Sequence, residues 1–325
     1  MDVVVEIVAR LDVEDVIRCK SVCKSWYDLI SSDYFVKTHL KRSYNNNRKH
    51  GYIRIRLHWM INNVTKLRGC TMVGSCDGLV CISPDKGEFL ITNPSTREVR
   101  KLPMIPYTVR ERMCWGFGYD PSTDDYKVVV GFNESEHHMR FHVLYLKSNK
   151  WKFIGDCDYF TYSNCGVLYD GALHWFMDDT EKKTIIISFD LSLEKFKQIP
   201  LPKDTEYVYD EIDGLGMFEE RLCIFRSYYF LDRYYTTIWV MKNYNCWQLL
   251  PRDYEGNKYA AATSAYKLNC FPDNTWRLCD DNKGNVDLSW QSWYNFTYPI
   301  FVNSLVSPLK KKKNNWSEES SKSGF

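Results

Sequence analysis

With 325 residues, 44% of them hydrophobic and 16% aromatic, the chain is long enough for a small module followed by one large domain with a full core. Its 43 Lys and Arg nearly balance 41 Asp and Glu. The resulting net charge of +2 excludes the broad positive field of a generic nucleic-acid binder and offers nothing to an anionic membrane.

In chain order, the first pattern is helical. Val4, Ile7, Val8 and Leu11 fall at i, i+3, i+4 and i+7, the spacing of one helix face, with Glu6 and Arg10 pointing away. Asp12 reads as the N-cap of a second helix, with Asp15 at N3 and an apolar face of Val13, Val16 and Ile17. A third face runs Val22, Cys23, Trp26, Leu29 and Ile30. Asp33 is placed to cap a short fourth helix carrying Phe35, Val36 and Leu40. Residues 1–42 therefore predict a small all-α module. About forty residues lie near the lower limit for a self-sufficient core, so the module is expected to dock on something larger.

The pattern Asp2-Val3-Val4, Glu6-Ile7, Arg10-Leu11-x-Val13, Val16-Ile17-Arg18-x-Lys20-x-Val22-Cys23-Lys24-Ser25-Trp26, Leu29-Ile30-Ser31, Phe35 and His39-Leu40 resembles the plant F-box position by position. The resemblance implies docking onto a Skp-type adaptor that joins the chain to a cullin and a RING subunit in a ubiquitin ligase. The residues it assigns to that contact are Val3, Val4, Ile7, Leu11, Val13, Val16, Ile17, Val22, Cys23 and Trp26. On this reading the chain selects substrates and performs no chemistry. Two positions depart from the pattern. The usual Leu-Pro before Asp2 is replaced by Met1, from which a weaker adaptor grip is expected; the Pro usual after Leu11 is Asp12, which serves equally well at a helix start.

A polar stretch at 43–51 reads as a linker, after which the apolar period changes from helical to alternating. The abundance of Tyr, Phe and Trp also favours sheet. Four segments share one plan of strand, polar turn and strand, often closed by Leu-Pro or Ile-Pro; they begin at Phe89, Phe141, Ile185 and Thr237, spaced 44–52 residues apart. Each is preceded by a Gly-containing strand pair, at Gly74–Cys81, Gly116–Gly131, Gly166–Trp175 and Gly214–Phe225. Four strands in a period of about 45–50 residues are the signature of propeller blades. Asp77-Gly78 and Asp170-Gly171 suit tight hairpins. With further strands at 52–72 and 259–306, residues 52–307 predict a β-propeller-like domain of about six blades, in a mainly β chain.

Asn93-Pro94-Ser95-Thr96-Arg97, Gly116-Phe117-Gly118-Tyr119-Asp120, Gly171-Ala172-Leu173-His174-Trp175, Ser188-Phe189-Asp190 and Ile238-Trp239-Val240-Met241-Lys242 resemble the plant F-box-associated, kelch-like domain. The resemblance implies that propeller loops recognise a target protein. Aromatic stretches at Tyr159–Tyr162, Tyr207–Tyr209 and Tyr228–Tyr235 are candidates for that contact, although packing between blades explains them equally well.

Little in the sequence suggests independent chemistry. His137, His138 and His142 do not converge as a metal site, and Asp120, Asp124 and Asp125 lack the closing Glu of a calcium loop, so no metal or cofactor is expected. No apolar run approaches the roughly 20 residues of a membrane span, and Asp2 and Glu6 do not suit a secretory signal. Residence in the cytoplasm or nucleus is expected, with the twelve cysteines reduced. Residues 308–325, including Lys310–Lys313, read as a disordered tail. Two other readings are a propeller scaffold without ligase function, and a carbohydrate-binding protein or propeller enzyme with its ligand in the axial channel.

Overall fold

The computed structural model describes residues 2–45, 71–84, 87–106, 113–135, 138–161, 165–202, 212–218, 221–230, 233–244, 246–249, 267–270, 276–279, 286–288 and 302–309. Four helices come first: α1 (Asp2–Val8), α2 (Val13–Cys19), α3 (Lys24–Ile30) and α4 (Asp33–Asn45). They pack around Val5, Val8, Ala9, Val13, Val16, Ile30 and Phe35.

Several helix expectations need correction. The inner face of α1 is Val5, Val8 and Ala9, while Ile7 and Leu11 lie outside it. Val3-Val4-Val5 makes the helix apolar on two sides, and the spacing alone did not reveal which side is covered. Asp12 is the N-cap of α2 in extended conformation, but makes no side-chain capping hydrogen bond. Val22 precedes α3, and Cys23 is its extended N-cap, so neither belongs to the helical face. At α4 the capping side chain is Ser32, whose Oγ accepts from the N–H of Phe35 at 3.2 Å; Asp33 is already helical. That helix runs 13 residues, and Ser43, Tyr44 and Asn45, expected in the linker, continue it.

Among the described residues five antiparallel sheets follow, in sequence order. The first holds β1 (Thr71–Cys76), β2 (Leu79–Ser83), β3 (Leu90–Asn93) and β4 (Glu98–Lys101). The second holds β5 (Met113–Asp120), β6 (Asp125–Ser135), β7 (His138–Tyr145) and β8 (Lys150–Cys157). The third contains β9 (Phe160–Thr161), β10 (Val167–Tyr169), β11 (Ala172–Asp178), β12 (Thr184–Asp190) and β13 (Lys195–Ile199). The fourth is β14 (Ile212–Phe218), β15 (Arg221–Phe230), β16 (Arg233–Asn243) and β17 (Cys246–Leu249). The fifth is β18 (Lys267–Cys270), β19 (Trp276–Cys279) and β20 (Val286–Leu288). Of the strands expected at 52–72 and 259–306, residues 52–70, 259–266, 271–275, 280–285 and 289–301 lie outside the described residues.

The core sits between sheets, as radial packing of blades requires. Leu79, Cys81, Phe89 and Ile91 of the first sheet meet Phe117, Val128, Val130 and Leu144 of the second. Val129, Phe141 and Val143 of the second meet Leu173, Trp175, Ile187 and Phe189 of the third. Ile186 and Ile199 of the third meet Leu222, Ile224, Trp239 and Met241 of the fourth. The outer strands β4, β8, β13 and β17 are largely solvent-facing, and the lysines of β4, β8 and β13 discourage edge-to-edge pairing.

Local chemistry explains the turns. Asp77-Gly78 and Asp170-Gly171 take φ of 53° and 77°, and 47° and 71°, the paired positive values of a type I′ hairpin. In three longer hairpins an Asn or Asp opens the turn, its Oδ1 accepting from the N–H two residues on: Asn93 from Ser95 at 2.8 Å, Asp120 from Ser122 at 2.9 Å and Asp190 from Ser192 at 2.8 Å. The fourth residue after each, Arg97, Asp124 or Glu194, adopts positive φ to re-enter the sheet. The Leu-Pro and Ile-Pro pairs also have a use: Trp151 Nε1 donates to the Pro103 carbonyl at 2.9 Å and Trp247 Nε1 to that of Pro200 at 2.8 Å, tying an outer strand to the preceding blade.

Candidate functional site

In an up-and-down sheet alternate turns emerge at opposite ends. The β1–β2, β3–β4, β5–β6 and β7–β8 turns therefore share one end, and the helical bundle sits on it. Tyr44 Oη donates to Asp77 Oδ1 at 2.9 Å, and Tyr126 Oη donates to Asp77 Oδ2 at 2.9 Å, so one carboxylate joins α4, the β1–β2 turn and β6. Burial, followed by the neighbouring Asp77 charge, pushes the Tyr44 and Tyr126 hydroxyls well above the ordinary phenol range. Lys37 of α4 donates to Asp124 Oδ1 at 2.7 Å in the β5–β6 turn. That hydrogen bond, with one from Tyr119, holds the Asp124 carboxyl at about 2. Inside the bundle His39 Nε2 meets the Leu11 carbonyl at 3.0 Å, and at its surface Arg42 pairs with the carboxylate of Glu6. Burial lowers the His39 pKa, which keeps this inner histidine neutral.

The ten residues assigned to an adaptor contact divide by exposure. Val13 is 3% exposed and Val16 is fully buried. Both belong to the bundle core, so an adaptor cannot touch them without opening it. Val4, Ile17 and Trp26 are half-buried against that core. The remaining five face outwards: Val3 at 71%, Ile7 at 59%, Leu11 at 37% and Val22 at 64% exposed, together with exposed Cys23. Val3 and Ile7 are one helical turn apart on the same side of α1, opposite its packed face. Exposed Tyr27 of α3 adds an aromatic that the sequence reading did not select.

By the same alternation the β11–β12 turn lies at the other end, away from the bundle, and the β6–β7 and β15–β16 strand pairs run towards it. The two longest described strands, β6 and β16 at 11 residues each, run that way. β6 and β7 pair out to Ser135 and His138, and β15 with β16 pair out to Phe230 and Arg233. Tyr228–Tyr235, expected as an aromatic loop, is thus largely a strand pair, with Tyr228 opposite Tyr235 and Tyr229 opposite Tyr234. Tyr159 packs against the core between the second and third sheets. Tyr207–Tyr209 lie outside the described residues.

Glu134, His138 and Asp156 place ligand-capable atoms within 4.8 Å of one another near the β6–β7 turn. Arg140 already bridges the two carboxylates, at 2.8 Å from Glu134 Oε2 and 3.0 Å from Asp156 Oδ1. His138 faces Asp158 at 3.1 Å, and the hydrogen bond to Asp158 raises its pKa. The group is an ion-pair cluster whose positive charge comes from the protein itself. His142 is separate from it, buried between the rings of Phe132 and Phe153. Asp120 is a turn residue, and its carboxylate is occupied by Ser122, Thr123, Lys127 and Ser192. Among the described residues no helix is long and apolar enough to cross a membrane.

A helical module with an uncovered apolar side is fixed to one end of a series of antiparallel sheets, a layout that fits an F-box protein with a β-propeller domain. The comparisons agree. The F-box domain model matches residues 1–38, and the F-box associated beta propeller domain model matches residues 31–251. F-box protein CPR1 of Arabidopsis thaliana is 30% identical over 291 residues, covering 75% of this chain and 70% of that protein. F-box protein At4g22390 of the same plant is 26% identical over 95% of this chain and 90% of its own length. F-box/kelch-repeat protein At3g23880, also from Arabidopsis thaliana, is 29% identical over 62% of this chain and 65% of its own. The chain belongs to the family of F-box proteins with an F-box-associated β-propeller domain.

Proposed function

We propose that the chain is the substrate-recognition subunit of a Skp-cullin-F-box type ubiquitin ligase. The observation that carries this reading is the exposure of Val3, Ile7, Leu11 and Val22 on a bundle whose other side is already committed to its own core and to the propeller. Uncovered apolar side chains of this size on one small module mark a docking surface. The adaptor binds there. The target binds at the propeller end away from the bundle, towards which the β6–β7 and β15–β16 strand pairs run and where loop sequence can vary without disturbing the blades. The chain contributes binding and orientation, while its partners contribute the chemistry, and it works in the cytoplasm, the nucleus or both.

The test is retention of the purified chain on an immobilised Skp-type adaptor. Wild type is retained, and the pair Ile7→Asp with Val22→Asp is lost while remaining folded. Equal retention of both, or retention of neither, contradicts the reading.

A further inference from the structure

The segment 302–309 lies outside both matched family domains, yet it is built into the helical module. We propose that this C-terminal strap is a structural part of the F-box, so that the adaptor-binding helices keep their shape only while the strap is seated on the propeller.

The argument begins with Leu305. The other seven buried members of the bundle core lie between Val5 and Phe35; Leu305, at 5% exposure, is the described member from the far end of the chain. Its neighbour Ser304 is fully buried on the propeller side, with Oγ donating to the Asp77 carbonyl at 2.6 Å. One dipeptide thus places a hydroxyl on the blade and an isobutyl group in the bundle.

The strap is fixed along its length. Asn93, itself fully buried, donates Nδ2 to the carbonyls of Ser304 at 3.0 Å and Val306 at 2.7 Å. Ser95 Oγ donates to Asn303 Oδ1 at 3.1 Å, and Arg100 Nη1 donates to the Pro308 carbonyl at 3.0 Å. Opposite Val302, a Cβ at Gly78 would stand 2.4 Å from the carbonyl oxygen, so the glycine allows the strap to approach. Pro308, expected in a disordered tail, belongs to this clasp, and the N–H of the exposed Leu309 beside it donates to Ser307 Oγ at 3.2 Å. The packing of α1 and α2 and the seating of the chain end on the first sheet therefore share the same residues, and whatever lifts the strap uncovers the bundle core.

Hydrogen exchange of the full-length chain tests the coupling. Asn93→Asp keeps the Oδ1 acceptor of its turn but replaces the Nδ2 donor by a carboxylate facing two carbonyls, so it loosens the strap without touching a helix. Leu305→Asp removes the apolar insertion directly. Both variants should exchange the amides of α1 and α2 faster, on the order of a hundredfold for Leu305→Asp, with wild-type protection in β11 and β12. The exposed Leu193→Asp serves as control and should change neither region. Wild-type α1 and α2 protection in Asn93→Asp overturns the proposal, including where Leu305→Asp fails to fold.

A second arm rests on the adaptor reading: affinity for a Skp-type adaptor should fall about tenfold in Asn93→Asp, a change of roughly 1.4 kcal/mol. If wild type itself does not bind the adaptor, the proposed function fails, while the exchange result still decides the coupling.

Discussion

Lys127 is 1% exposed and sits where the second and third sheets meet. Its Nζ donates to the Leu191 carbonyl at 2.6 Å and to Glu194 Oε1 at 2.9 Å, and lies 2.9 Å from Asp120 Oδ2. Burial alone would lower the lysine pKa and raise that of Asp120. Glu194 and Asp120 reverse the first effect, while donors on Ser192, Ser122, Lys127 and Thr123 reverse the second. Both groups are therefore charged in the fold. Lys127→Met keeps the side-chain length and removes the cation, leaving Asp120 buried with no other counter-ion among the described residues. Removing one member of a buried pair costs about 3–5 kcal/mol. Asp120 retains hydrogen bonds from Ser122, Thr123 and Ser192, so the lower end, about 3 kcal/mol, applies. For a domain of roughly this size that corresponds to a Tm lower by about 6–12 °C, measurable by calorimetry at pH 7. In a double-mutant cycle with Asp120→Asn the two losses should fail to add by about 1–3 kcal/mol. A Tm within about 2 °C of wild type, or strict additivity, refutes the reasoning.

Other consequences follow from single side chains. His174 is fully buried, and burial holds its pKa down at about 4 despite a hydrogen bond to the Val167 carbonyl. A depressed pKa stabilises the fold fully above the ordinary value of about 6.5, and that contribution, on the order of 3 kcal/mol, is lost as pH falls towards 4. Urea midpoints between pH 7.5 and 4.5 should fall less steeply in His174→Gln, and identical slopes contradict the assignment. In the bundle, Val16→Asp buries an unpaired charge and should abolish the exchange protection of α1 and α2, whereas Ile7→Asp, already at the surface, should leave their protection at the wild-type level. The reverse ranking contradicts the assignment of Val16 to the inside of the bundle and Ile7 to its surface.

Much of this architecture was written locally. The Asp-Gly pairs at 77 and 170 need positive φ and sit in the turns they predict, and the Asn93-Pro94-Ser95-Thr96-Arg97 turn is held by its own side chain. The strand plan at about 50-residue intervals became the first four sheets because each blade's strands are sequential neighbours. What was hidden depends on distant partners. A family pattern does not say which apolar residues a bundle keeps for its own core, so the resemblance grouped Val13 and Val16 with Ile7 and Val22 although one pair lies inside and the other outside. Nothing near Asn93 or Leu305 announces a contact spanning 211 residues in one case and closing the helical core in the other. Likewise, the start of α3 at Lys24 reflects extended Cys23, which a periodic reading running through Val22 could not detect.

The central claim is tested most directly by hydrogen exchange of the full chain with and without a saturating Skp-type adaptor. The account predicts new protection in α1 and around Val22 to Lys24, with the β6–β7 and β15–β16 hairpins unchanged and open to a target. Protection confined to the propeller, or no change anywhere with the adaptor in excess, would contradict it.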